Sequence, residues 1–155
     1  MHNPLWEFSL QLYARPGVAE ACIEAQDHYA ADVNLLLYAA WLAQQGLELD
    51  PGQWQALAAG VDEWRRRVVA PLRALRRDWK ALPDAAALRE QVRALELAAE
   101  QAQQEQILAW HRRQAPRPAQ AGSLLWALAC LLGSPPAQAG SEAPELGRRL
   151  LALLG

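Results

Sequence analysis

Apolar residues along this chain recur at steps of three or four positions, and no stretch alternates apolar with polar residues. Steps of three or four place apolar side chains on one stripe of an α-helix, so helices are expected and strands are not. Proline, glycine and capping side chains mark where each helix begins and ends. The helices predicted in the front part run from Pro4 to about Tyr13, from about Pro16 to His28, and from Val33 to Gly46.

A longer fourth helix is predicted after the capping pair Asp50-Pro51. Its apolar positions form one stripe, namely Trp54, Leu57, Val61, Trp64, Val68, Leu72, Leu75, Trp79 and Leu82. Pro71 lies inside this stripe, lacks a backbone N–H and clashes with the preceding turn, so a kink or split is expected there. A fifth helix, from about 85 to 113, has the same spacing at Leu88, Val92, Leu95, Ala99 and Ala102.

The composition changes after the fifth helix. Residues 114–122 are rich in proline, glycine and alanine, which is typical of a linker, and residues 133–144 form a second such stretch. An apolar helix lies between them, and an amphipathic helix comes after the second. The apolar helix is expected to pack on its own core, since a free one would aggregate. The prediction is a helical core domain over 1–113, a linker over 114–122 and a short helical tail over 123–155.

The fold class is therefore all-α: a compact array of about five core helices with one or two short tail helices. Hydrophobic residues make up 52% of the 155-residue chain, which argues against intrinsic disorder. The net charge of -2 gives no whole-chain case for nucleic-acid binding. The two cysteines have no paired spacing, which fits a reducing cytoplasm. No apolar run approaches the roughly 20 residues that span a bilayer, and no signal peptide is recognisable.

Polar residues cluster where the second and third helices meet: Gln26, Asp27, Asp32 and Asn34. Asp32 is expected to cap the third helix by accepting from the amide of Leu35. Asn34 lies in a helix that is apolar nearly all round, so it is expected to be buried and to need hydrogen-bond partners. Two interpretations stay open. The cluster is either a polar network that fixes the helix junction or the floor of a small-ligand pocket.

The fourth helix also carries a basic face formed by Arg66, Arg73, Arg77 and Lys80. Guanidinium groups on one face could bind phosphate or an acidic partner protein. The alternatives are a solvated face, or ion pairs with the next helix, whose acidic residues are Glu90, Glu96, Glu100 and Glu105. Nucleic-acid binding is the weakest of these interpretations, because the tryptophans of this helix face inward by spacing.

Patterns that would indicate catalysis are absent from the sequence. The three histidines are not placed for a di-metal helical bundle, no serine lies in a nucleophile elbow, and there is no glycine-rich phosphate loop. We therefore expect no metal, no cofactor and no catalytic residue, and an enzyme is the less favoured class.

Several short stretches resemble a family of small bacterial proteins known as domain of unknown function 2390. They are Leu5–Leu10, Tyr13–Val18, Gln26–Asp27, Asp32–Leu37, Trp41–Ala43, Val68–Arg73 and Glu96–Leu97. The resemblance covers about the first two thirds of the chain and implies no activity. It also implies that glycine is common at the position of Ala30, which would suit a break between helices.

Together these observations favour a non-enzymatic protein-interaction or regulatory helical module in the cytoplasm. Its partner would be another protein or a further copy of itself, contacting the Arg73, Arg77 and Lys80 face or the tail helix. The alternative is a small-ligand-binding protein or enzyme with a polar pocket at the junction of the second and third helices. Nucleic-acid binding through the arginine-rich helix is the weaker alternative.

Overall fold

The structure, a computed structural model, describes residues 2–133 and 145–155, and it confirms the all-α class. The helices are α1 Pro4–Tyr13, α2 Val18–Tyr29, α3 Val33–Gln44, α4 Pro51–Trp64, α5 Ala70–Asp78, α6 Ala86–Arg112, α7 Ser123–Leu131 and α8 Glu145–Leu154. The second proline- and glycine-rich stretch lies outside the described residues, apart from Gly133. The chain forms two compact units, Met1–Gly52 with Gln114–Gly155, and Gln53–Arg113. A unit boundary thus falls at residue 113, where the composition changes.

The first unit is built around α3, whose residues from Asn34 to Leu42 are all buried. Helices α1, α2 and α7 pack on α3, and α8 packs on α7 and α2. Both tail helices therefore belong to the unit that contains α1–α3. An ion pair between Arg149 of α8 and Glu24 of α2 adds a polar contact to this packing.

One expectation about the first unit is wrong, because two short strands are present. Strand β1, Leu47–Glu48, pairs antiparallel with β2, Arg117–Pro118. The Arg117 Nε lies 2.9 Å from the Glu48 Oε1, and the amide of Ala119 donates to the Gly46 carbonyl at 2.8 Å. A two-residue pair is too short to produce an alternating pattern in the sequence, and β2 lies within the predicted linker.

The second unit is a helical hairpin in which α4 runs on into α5, and α5 packs against α6. A π-helical turn, Arg65–Val69, joins α4 to α5, and the amide of Ala70 donates to the carbonyl of Arg65. The interruption predicted near Pro71 thus takes the form of a π-turn placed directly before the proline. A π-turn adds one residue to the helical repeat and so rotates α5 relative to α4.

Beyond the π-turn the predicted apolar stripe is correct only in part, because Leu72 and Trp79 are half-buried but the two other leucines are not. Leu75 is 40% exposed and Leu82 is 51% exposed, whereas Val69 is buried. In α6 the predicted stripe is also displaced, because Leu88 and Leu95 are 55% and 57% exposed. The buried residues of α6 are instead Val92, Glu96, Ala99, Gln103, Gln104, Ile107 and Leu108. One extra residue corresponds to about 100° around the helix axis. Such a rotation is enough to turn a leucine from the contact between α5 and α6, which we call the seam, to solvent.

Candidate functional site

The junction of α2 and α3 holds the four polar residues predicted from the sequence. The Asp32 side chain caps α3, but it accepts from the amide of Asn34 at 3.0 Å rather than from Leu35. The Leu35 amide donates to the Asp32 backbone carbonyl instead, at 3.1 Å. Asn34 is buried, Gln26 is half-buried and Asp27 is exposed. Asp32 therefore has a structural role as a helix cap. Asn34, which is buried, follows it two residues later along the chain.

Ala30 turns the chain between these two helices. Its backbone has φ 52° and ψ 32°, which is left-handed, and it is the one non-glycine residue with positive φ in the described chain. The left-handed region is unfavourable for any residue with a Cβ. The position therefore suits glycine, as the family resemblance implies.

The strongest electrostatic feature is an ion cluster within the second unit. Arg76 holds Glu96 with two donors, Nε to Oε2 and Nη2 to Oε1, the latter at 3.1 Å. Arg73 lies 3.8 Å from Glu96 and 3.4 Å from Glu100. Glu96 is only 7% exposed, and the Arg89 Nε donates to the Arg76 carbonyl at 2.9 Å. This cluster, Arg73, Arg76, Glu96 and Glu100, joins α5 to α6.

Burial is the main influence on the pKa of Glu100. The pKa of Glu100 is raised, first by loss of hydration and then by the nearby Glu96 carboxylate. Arg73 and Arg76 oppose this rise without cancelling it. The cluster is therefore an internal pairing of the kind that the sequence offered as an alternative to a basic partner surface.

The four basic residues predicted to share a face differ in surroundings. Arg73 is held in the ion cluster, with a side chain only 16% exposed. Arg66 is exposed and pairs with Asp62 one turn earlier, at 2.6 Å. Arg77 and Lys80 are exposed. Arg66 lies within the π-turn and the other three lie after it, so a regular helical spacing no longer relates Arg66 to them.

An apolar surface that the sequence did not predict lies on the hairpin. We define the leucine face as Leu75, Leu88 and Leu95, which are 40%, 55% and 57% exposed. Large apolar side chains that share an exposed surface often mark a contact with another protein. Leu82 is similarly exposed in the connection between α5 and α6.

Helical spacing places these three leucines on one side of the hairpin. Arg73 and Glu100 meet on the opposite side of the seam, with Arg76 and Glu96 between the helices. At about 100° per residue, Leu75 lies roughly 160° from Arg73. By the same measure Leu88 and Leu95 lie roughly 120–140° from Glu100 around the axis of α6. They therefore lie on the edge of the seam opposite to Glu100. Polar pairs therefore line one edge of the seam, and leucines line the other.

Two further classes of site are absent from the described residues. Across residues 2–133 and 145–155, no group of three or more His, Cys, Asp or Glu side chains is arranged to hold a metal ion. Within the same ranges, no helix has the length and apolar character needed to cross a bilayer. The two cysteines, Cys22 and Cys130, are free thiols.

Comparison with protein families finds a match over residues 4–107 to a family described as "Protein of unknown function (DUF2390)". The chain belongs to the DUF2390 family. The matched part of this DUF2390 protein contains α1 to α5 and most of α6, including the ion cluster and the leucine face. Helices α7 and α8 lie outside the match. No curated protein matches the chain, and no solved structure does.

Proposed function

We propose that this DUF2390 protein is a non-enzymatic protein-interaction module of the cytoplasm, and that its contact surface is the leucine face. The observation that carries the proposal is the exposure of Leu75, Leu88 and Leu95 along one edge of two packed helices. Two adjacent helices with leucines along one edge form a surface that fits the apolar side of a third helix. The two free thiols are consistent with a reducing compartment.

The charge of the second unit indicates what kind of helix it would bind. Residues 53–113 contain 11 basic and 8 acidic residues, a formal charge of +3, whereas the rest of the chain has 4 basic and 9 acidic residues, or -5. Two hairpins of the same positive charge repel each other, which disfavours pairing through this surface between copies. The favoured occupant is an amphipathic helix of a partner protein whose polar side is acidic.

A pair of designed peptides tests this proposal directly. Each is an amphipathic helix about 20 residues long, long enough for about five turns. Both carry leucine on one side, and the polar side is glutamate in one and lysine in the other. We expect the leucine–glutamate peptide to bind in a fluorescence anisotropy titration and the leucine–lysine peptide to bind at least about tenfold more weakly.

Substitutions in the protein locate the binding surface. The variant Leu88→Gln with Leu95→Gln removes two of the three leucines and should weaken binding at least about tenfold. Leu97→Gln is the matched control, because Leu97 is 52% exposed on the same helix but lies on a different side. Equal binding by the double variant and the control refutes the location. Self-association that the double variant abolishes, measured by analytical ultracentrifugation, would instead identify a second copy as the occupant.

A further inference from the structure

The solvent side of α6 carries a helical stripe that is separate from the buried one. Its members recur at alternating steps of three and four residues, and they are Leu88, Gln91, Leu95, Ala98 and Ala102. The first four are exposed and Ala102 is half-buried, whereas the neighbouring buried stripe includes Val92, Glu96 and Ala99. Alternating steps of three and four are the spacing at which one helix packs lengthwise against another. We call these five residues the outer stripe.

The outer stripe carries no charge along its whole length. It spans about 21 Å from Leu88 to Ala102, at about 1.5 Å per residue. The charged residues of the same segment lie roughly 120° or more from the middle of the stripe, and they are Arg89, Glu90, Arg93, Glu96 and Glu100. Two members of the stripe, Leu88 and Leu95, belong to the leucine face. The stripe therefore extends that face along α6 as a surface for one helix.

Gln91 is the one polar residue of the outer stripe. It lies one turn from Leu88 and one turn from Leu95, so a helix that packs on both leucines also covers Gln91. In the free protein Gln91 is exposed, and water can bond to its side-chain amide. A docked helix excludes that water. A buried amide without a hydrogen-bond partner weakens binding about fivefold to hundredfold, so the docked helix has to supply a partner.

A single polar residue in an apolar stripe discriminates between partner helices. An entirely apolar helix leaves the Gln91 amide unpaired in every register. A helix with one amide side chain among its apolar residues satisfies Gln91, but only in the register that places the two amides opposite each other. A lone buried Asn fixes the register of coiled coils in the same way.

We propose that Gln91 is the specificity-determining residue of the leucine face. It selects, among acidic amphipathic helices, those with Gln or Asn on the apolar side, and it fixes where along α6 they dock. This inference rests on the proposed function, because it requires that a helix binds the leucine face. It adds which helices bind there and in which register.

A set of related peptides tests the selection. The parent peptide is the leucine–glutamate helix of about 20 residues, with its leucines at steps of three and four. Each further peptide replaces one leucine by glutamine. Every peptide is titrated by fluorescence anisotropy against the unmodified protein and against Gln91→Leu, which removes the side-chain amide. Gln55→Leu is the matched control, because Gln55 is exposed on α4 and lies outside the outer stripe.

The decisive quantity is the loss of affinity that each glutamine causes relative to the parent peptide. For at least one position this loss should be about fivefold or more smaller with the unmodified protein than with Gln91→Leu, because the two amides pair. With Gln55→Leu, every loss should equal that with the unmodified protein.

Two other results separate the inference from the proposed function. If peptides bind but every glutamine costs the same with the unmodified protein and with Gln91→Leu, the inference is overturned and the proposed function stands. If no peptide binds either protein, the proposed function fails and the inference fails with it. Should Gln91→Leu self-associate in analytical ultracentrifugation, the same comparison with Gln91→Ala decides, since alanine removes the amide without adding a large apolar side chain.

Discussion

Replacing Ala30 by glycine should stabilise the protein, although glycine inside a helix usually destabilises it. Ala30 holds φ 52° and ψ 32°, and a left-handed alanine costs about 1–2 kcal/mol relative to the right-handed region. Glycine removes that cost but loses about 0.5–1 kcal/mol through the greater freedom of the unfolded chain. The difference predicts a gain of about 0.5–1 kcal/mol in the free energy of unfolding. For a chain of this size, each kcal/mol raises the midpoint temperature of unfolding by roughly 2–4 °C.

The chain provides a matched control for this measurement. Ala14 is also an exposed alanine at the C-cap of a short helix, but its φ is -77° and its ψ is -12°, which is right-handed. Ala14→Gly should therefore destabilise the protein by about 0.5–1 kcal/mol. Urea denaturation of both variants beside the parent gives the two changes in midpoint. If Ala30→Gly lowers the midpoint as Ala14→Gly does, the assignment of left-handed strain to Ala30 is wrong.

Three other measurements each probe a single side chain. Asp32→Ala should lose about 1 kcal/mol of unfolding free energy in urea titration, because the helix cap is removed. Since the pKa of Glu100 is raised in the folded state, the folded protein keeps its proton to higher pH, and stability falls as pH rises through the raised pKa. Glu100→Gln should therefore flatten the loss of stability between pH about 4 and neutral pH. Burial raises the pKa of the Cys22 thiol to about 12, so this cysteine should resist alkylation at pH about 8 until the protein is unfolded in denaturant.

The helix ends were predictable because their chemistry is local. Asn3 accepts from the amide of Trp6 at 3.0 Å, as expected of a cap followed by proline. Asp32 caps α3, although the amide it binds is one residue earlier than predicted. Gly46 has φ 70° just beyond the end of α3. Each of these features depends on residues within one turn, so a single sequence contains the whole signal.

The orientation of α5 and α6 was not predictable in the same way. Pro71 indicates that the helix is interrupted, but a kink, a split and a π-turn are all possible responses. The apolar stripe through Leu75 favoured a regular helix. An ion cluster occupies the seam instead, and its members on the two helices lie 20 or more residues apart along the chain, so helical periodicity does not reveal it. Two arginines three apart facing two glutamates four apart were the available signal.

The burial of the candidate residues was accordingly predictable in part, whereas their roles stay predictions. The polar residues at the α2–α3 junction lie where the sequence placed them, and Asn34 is buried as expected. The basic residues were identified by their charge. The position of Arg73 in the ion cluster, however, depends on the π-turn. The leucine face was hidden because its members were assigned to the core stripes. An exposed leucine can be distinguished from a buried one only when the register of its helix is known.

The pairing of β1 with β2 has a consequence for the order in which the chain folds during synthesis. Leu47 lies opposite Pro118, so the whole hairpin unit is an insertion between two halves of the first unit. The hairpin depends on contacts among residues 53–113 and can form as soon as they have emerged. The first unit, in contrast, lacks α7 and α8 until residues 123–154 have been made. Until then the nearly all-apolar α3 has no cover from α7, and we expect this interval to be when the nascent chain is most prone to aggregate.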